Sequence, residues 1–204
     1  MDVNISAAIV NVCLLCILTV PHEFAHAWVA SKLGDDTPEQ EGRLTLYPPA
    51  HIDLFGTVIL PALTTLLGAG LIGWGRPVNT NPSKLRYGLN GLALVAMAGP
   101  ASNILLAVLF AAVFTYTRTI QPDLSDFAAR AATLSVFLAL FNMLPVPPLD
   151  GSKLLIAARF PVVVYQELAR FGFLLLILAM SLTSLGVYLS HWSFQVSRFI
   201  FSIF

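Results

Sequence analysis

Long apolar stretches divided by short polar, proline-rich connectors set the pattern of this chain. Residues 5 to 33 are apolar except at one polar cluster, and they exceed the roughly 20 residues that a helix needs to cross a bilayer. Gly34 and Asp35 end that helix. Residues 35 to 53 are polar and Pro-rich, with an alternating piece from Arg43 to Tyr47 that predicts a short strand. Residues 54 to 75 are apolar again, but Pro61 and the glycines at Gly56, Gly68, Gly70, Gly73 and Gly75 make a poor straight helix. Further helices are expected at about 89 to 117, 128 to 144 and 164 to 190, with an amphipathic piece from Ser152 to Arg159 and an aromatic, interfacial tail from His191 to Phe204. The fold class expected is an all-α polytopic membrane protein. It is a helical bundle with a short β-like or re-entrant membrane-associated segment after the first helix, all in one membrane-embedded domain over residues 1 to 204.

Composition sharpens this picture. The chain is 57% hydrophobic and 11% charged, with a mean hydropathy of +0.79, whereas soluble domains are about 25% charged. The lipid bilayer is the partner this implies. Formal net charge is zero and no polybasic run exists, so charge suggests no nucleic-acid partner. Cys13 and Cys16 sit in an apolar run, where thiols act as small hydrophobes and no disulfide framework can be inferred. The N-terminus lacks the basic region of a removable signal peptide, so the first helix is expected to stay.

His22, Glu23, Phe24, Ala25 and His26 form H-E-x-x-H within the first apolar run. The i, i+4 spacing stacks two imidazoles on one helix face, where both can reach one Zn²⁺ at about 2.0 to 2.1 Å. Glu23, one residue on, is close enough to a metal-bound water to serve as general base. Two histidines and a glutamate could instead simply pack in a bundle. An ionisable side chain at the centre of a membrane helix costs about 2.5 to 3.5 kcal/mol, so three within five residues need a compensating partner, which a metal supplies. A catalytic zinc usually takes a third protein ligand. Asp150 is the best candidate, in a Pro-rich turn and followed by Gly151, although an Asp capping the helix that begins near Ser152 fits the spacing equally well.

HEFAH in the first helix, GPASN at 99 to 103 and NMLPVPPLDG at 142 to 151 resemble, in order, three signature motifs of the site-2 protease family of intramembrane metalloproteases. The likeness extends through GRLTLYPPAHID at 42 to 53 and GWGRPVNTNP at 73 to 82. It implies zinc held by His22, His26 and Asp150, Glu23 as the catalytic acid/base, and hydrolysis of peptide bonds in or near transmembrane segments of protein or peptide substrates. Asn142 is then expected to hydrogen-bond an unwound substrate backbone, and Asn103 to assist near the metal or an oxyanion. Interhelical hydrogen bonding is the alternative for both amides. No PDZ-like or CBS-like region is recognisable, and Asp150 is followed by Gly-Ser where some relatives have two glycines.

Other polar residues read as structural. Gly99, Ala101 and Ser102 are expected to allow close helix packing, His51 and Asp53 to serve the loop that holds them, and Trp74 and Arg76 to anchor at the interface. Two rivals to a protease remain: a non-catalytic zinc-bound protein that retains client helices, against which an intact Glu23 argues, and an ion transporter, which should show several midplane acidic residues. For His22, His26 and Asp150 to meet, residues 54 to 75 must enter the membrane and return to the same face. Lys32, Arg43, Arg76, Lys84, Arg86, Lys153, Arg159 and Arg170 then share one face, opposite Arg118, Arg130 and Arg198. The positive-inside rule makes the first face cytoplasmic, with the chain expected in a bacterial cell membrane.

Overall fold

The computed structural model describes residues 5–67, 71 and 73–204, which divide into two compact units after Arg86. Gly68 and Gly70 lie outside the described residues. The fold is all-helical among the described residues, and four helices are long and apolar enough to cross a membrane: α1 (Ile5–Lys32), α4 (Leu89–Thr117), α5 (Pro122–Asn142) and α7 (Val162–Leu182). Shorter helices are α2 (Thr37–Gln40), α3 (Leu60–Leu66), α6 (Asp150–Ala157) and α8 (Leu185–Phe201).

In the first unit, the 28 residues of α1 give it a length of about 42 Å. That exceeds the roughly 30 Å hydrocarbon core. Pro21 lies inside α1 and has no N–H to return to the Ile17 carbonyl, so the ladder is broken one residue before His22. After α2 the chain makes a 3₁₀ turn at Pro48–Ala50, then a π-helical turn at Leu54–Ile59 that runs directly into α3. The Asp53 carboxylate accepts from the Gly56 amide at 2.6 Å and caps that turn, a structural role as its loop position suggested.

Residues 73 to 86 run back alongside the outgoing limb. Thr65 near the end of α3 receives a hydrogen bond from the Asn11 amide at 3.1 Å, about 18 Å along the α1 axis from Glu23. The returning limb is tied to the outgoing one: Trp74 N donates to Gly56 O at 3.0 Å, Thr57 Oγ1 to Trp74 O at 2.7 Å, and Arg76 N to His51 O at 2.8 Å. It then follows α1 to its end, where Arg86 N donates to Leu33 O at 2.8 Å. Leu33 and Arg86 thus meet at one end of α1, as a re-entrant path between them would require. Single cysteines at Thr45 and at Ser83, in a background lacking Cys13 and Cys16, should therefore both react with an impermeant thiol reagent from one side of the membrane. Reaction from opposite sides would overturn this topology.

The expected strand at Arg43 to Tyr47 is not formed; those residues are an irregular bend. Alternation there reflects a different cause: the Arg43 side chain is buried inward, while Leu44, Leu46 and Tyr47 are exposed.

The second unit is built on α4 and α5. The two helices bury small residues, Gly99, Ala107 and Ala111 on α4 and Ala128, Ala131, Ala132 and Ser135 on α5. Small side chains let helix backbones approach closely where lipid offers no hydrophobic drive to associate. Gly99 is buried, Ala101 is exposed, and the Ser102 hydroxyl donates back to Gly99 O at 2.7 Å. α5 starts earlier than the expected 128 because Pro122 occupies its first turn, where a missing N–H costs nothing. The last apolar stretch is two helices, broken at Thr183–Ser184. The aromatic tail lies within α8, whose Ile200 packs on Ala107, Ala111 and Val136 and whose Phe201 ring lies 5.0 Å from Phe114.

Candidate metal centre

The helical repeat delivers the motif as expected. On α1 the Nε2 atoms of His22 and His26 face each other at 3.2 Å, with ring centroids 4.8 Å apart and the planes nearly perpendicular at 84°. Two imidazoles on one tetrahedral zinc, each about 2.0 to 2.1 Å from it, would place their nitrogens about 3.3 to 3.4 Å apart. The observed Nε2 separation is close to that value. Both histidines and Glu23 are buried.

Glu23 is held by backbone from the returning limb. Its Oε2 accepts from the Val78 amide at 3.2 Å. The limb reaches α1 because Gly75 has no side chain: a Cβ there would collide with Thr19 Cγ2 and lie 3.4 Å from Glu23 Oε1. Two buried side chains, Arg43 and His51, tie the neighbouring loop together. The Arg43 Nη2 donates to the Arg76 carbonyl, and His51 Nε2 bonds the Thr45 carbonyl at 2.6 Å. Burial lowers the Arg43 pKa; the Glu23 carboxylate draws it back up, Arg76 lowers it and Glu41 raises it. The guanidinium nevertheless stays charged at any working pH. Burial also pushes His51 down, opposed by the Thr45 carbonyl and reinforced by Arg43, so His51 is neutral near pH 7 and structural, as its loop position suggested.

In the second unit, Asp150 is the first residue of α6 and is buried. Leu149, not Asp150, is the capping residue, and the Asp150 Oδ1 is 3.0 Å from Lys153 Nζ. Gly151 has a packing reason rather than a conformational one. A Cβ there would collide with the carbonyl of Met143 at the end of α5 and lie 2.6 Å from that of Leu144, so glycine lets α6 start flush against α5.

Asn103 is almost fully buried on α4, and its Oδ1 has no hydrogen-bond partner among the described residues. Its backbone oxygen accepts from Ser135 Oγ at 2.7 Å, so the polar bond joining α4 to α5 comes from a serine the sequence did not single out. Asn142 ends α5, and its Nδ2 donates to Leu138 O at 3.0 Å within its own helix. Arg43 and the Val78 amide were not apparent from sequence either. Their only signal was a charged residue in an otherwise apolar alternation, and a main-chain group carries no signal at all.

Residues 117–180 match the family model of peptidase family M50. The zinc metalloprotease YwhC of Bacillus subtilis, so described by its name, is 39% identical over 142 residues, 66% of this chain and 62% of that one. Rip2 of Mycolicibacterium smegmatis is 35% identical over 64% of this chain and 49% of its own, and Rip2 of Mycobacterium tuberculosis 34% identical over 72% and 53%; both carry the same description. The matched stretches thus span about half to three-fifths of these relatives. No solved structure matches. With its four apolar helices the chain is a multi-pass membrane protein, and over residues 117–180 it carries the match to peptidase family M50, the site-2 protease family.

Proposed function

We propose that this protein is a zinc endopeptidase that hydrolyses peptide bonds in or beside membrane-spanning segments of other proteins. The observation that carries the reading is the His22–His26 pair, 3.2 Å apart at their Nε2 atoms, on a helix apolar enough to span a bilayer and with Glu23 between them. In this reading His22, His26 and Asp150 hold the ion. Carboxylate and two imidazoles are a donor set that suits a catalytic zinc. The names of the relatives, which describe zinc metalloproteases, favour the same metal.

Bound zinc supplies Lewis acidity, making water a nucleophile near neutral pH and polarising the carbonyl under attack. The chain's own groups do the rest. Glu23 takes the proton from the attacking water as the new C–O bond forms, then delivers it to the departing nitrogen as the C–N bond breaks. The Val78 amide fixes one carboxylate oxygen. A membrane helix must unwind before its peptide bond is reachable, and the exposed N–H and C=O groups then need partners. We assign that part to Asn142 and the buried Asn103 Oδ1, which has no partner among the described residues. Asn142→Ala should raise KM by about tenfold with zinc content unchanged, one lost hydrogen bond being worth about 1 kcal/mol or somewhat more. A fall in protein yield alone would assign Asn142 to packing instead.

The substrate side is tested by incubating the purified protein with a panel of single-span peptides and mapping the product ends by mass spectrometry. Cuts within or beside the apolar stretch are expected; cuts confined to soluble tails would refute intramembrane action. The lysine and arginine distribution supports a cytoplasmic orientation for the catalytic end of α1.

A further inference from the structure

We infer that Arg43 is a positioning residue for Glu23, acting through the Arg76 carbonyl and the Val78 amide. The inference rests on Glu23 being the catalytic base. The Arg43 guanidinium is 3% exposed, and its Nε has no hydrogen-bond partner among the described residues. A buried N–H left unpaired is destabilising, so an arginine here is a costly way to fill space. What it does reach is one peptide group. Its Nη2 holds the Arg76 carbonyl, while the Arg76 amide donates to His51 O at 2.8 Å, so the backbone is held on both sides of Arg76.

The next residue carries that constraint forward. Arg76 C=O belongs to the peptide plane before Pro77, and the Val78 N–H that meets Glu23 Oε2 at 3.2 Å belongs to the plane after it. Two torsions separate these planes, φ and ψ of Pro77, and the pyrrolidine ring fixes φ. With one soft torsion between them, holding the Arg76 carbonyl restricts the Val78 amide to rotation about a single bond. Arg43 therefore restricts the direction in which the Glu23 carboxylate is held, from a loop more than fifteen residues away along the chain. The tight seat of Gly75 against Thr19 and Glu23 leaves the limb little room to find another arrangement.

Arg43→Ala, Arg43→Lys and Pro77→Gly, the last leaving Arg43 intact and freeing the torsion, test this. Zinc per chain, kcat and KM would be measured on one cleavable single-span peptide, in wild-type and Glu23→Asp backgrounds. Arg43→Ala and Pro77→Gly should each lower kcat about 10- to 100-fold, the scale for a misplaced catalytic group, with KM and zinc content held. Arg43→Lys, which can still donate to the carbonyl, should recover part of the loss. In the Glu23→Asp background neither change should cost more, because residues acting through one group are not additive. Losses that multiply in that background, loss of zinc, or wild-type kcat in both Arg43→Ala and Pro77→Gly would overturn the inference. If Arg43→Ala does not fold, Pro77→Gly and Arg43→Lys decide it. Glu23→Gln separates the two ideas. A fully active Glu23→Gln removes the base assignment itself, whereas a dead Glu23→Gln beside wild-type-like Arg43 and Pro77 variants removes only the role of Arg43.

Discussion

Asp150→Ala protein is expected to bind zinc at least about 100-fold more weakly than wild type and to lose peptide hydrolysis with it. The scale follows from metal sites in general, where even a residue that only orients a ligand is worth about 10- to 100-fold in affinity. His22→Ala and His26→Ala should behave alike, since each Nε2 would supply one of three protein donors. Asp150 is the most informative of the three because its neighbours offer another explanation. The ion pair with Lys153 at 3.0 Å could account for a buried carboxylate without any metal. Elemental analysis after dialysis against a weak chelator distinguishes the two. Lys153→Ala should leave zinc in place, whereas a full complement of tightly held zinc in Asp150→Ala would remove Asp150 from the ligand set.

Glu23→Gln should lower hydrolysis by about 10²- to 10⁴-fold, the usual contribution of a positioned acid/base, and should leave zinc stoichiometry unchanged. Glutamine keeps the shape and can still accept from Val78 N, so the returning limb stays seated. It cannot accept the proton of the attacking water. The contrast with Asp150→Ala is the useful part: one variant loses metal and activity together, the other loses activity alone. A Glu23→Gln enzyme that turned over at the wild-type rate would require another base, and a variant that also lost zinc would make Glu23 part of the metal's support.

How much of this was written in the sequence depends on the range of the interaction. α1 was legible because an apolar run longer than a bilayer and three ionisable residues in five positions are both local signals, and i, i+4 spacing converts directly into the 3.2 Å approach. The expectation of a re-entrant path rests on Pro61, the glycines and the count of crossings. The fastenings were not legible: Gly56 with Trp74, His51 with Arg76 and Leu33 with Arg86 join main-chain atoms far apart in sequence, and side-chain patterns do not encode which distant amide meets which carbonyl. Arg43 to Tyr47 shows the same limit from the other side. Alternation predicted a strand, but the inward residue is an arginine serving one carbonyl, and no neighbouring strand takes up the remaining groups. The break at Thr183–Ser184 was missed because neither residue is a strong helix breaker, and the turn into α8 is fixed by packing on α4 and α5. Gly151 was noticed for the wrong reason, since the demand there comes from the Met143 and Leu144 carbonyls rather than from its own torsions.

In the proposed mechanism, a zinc ion bound through His22 and His26 makes this membrane protein cleave peptide bonds. Its most direct test follows cleavage of one single-span peptide by the purified protein while a strong chelator removes the metal and stoichiometric zinc is then returned. The account predicts one zinc per chain at the start, cleavage abolished on chelation, cleavage restored on addition of zinc, and none at any stage with His22→Ala. Undiminished cleavage by protein shown to be free of zinc would contradict it.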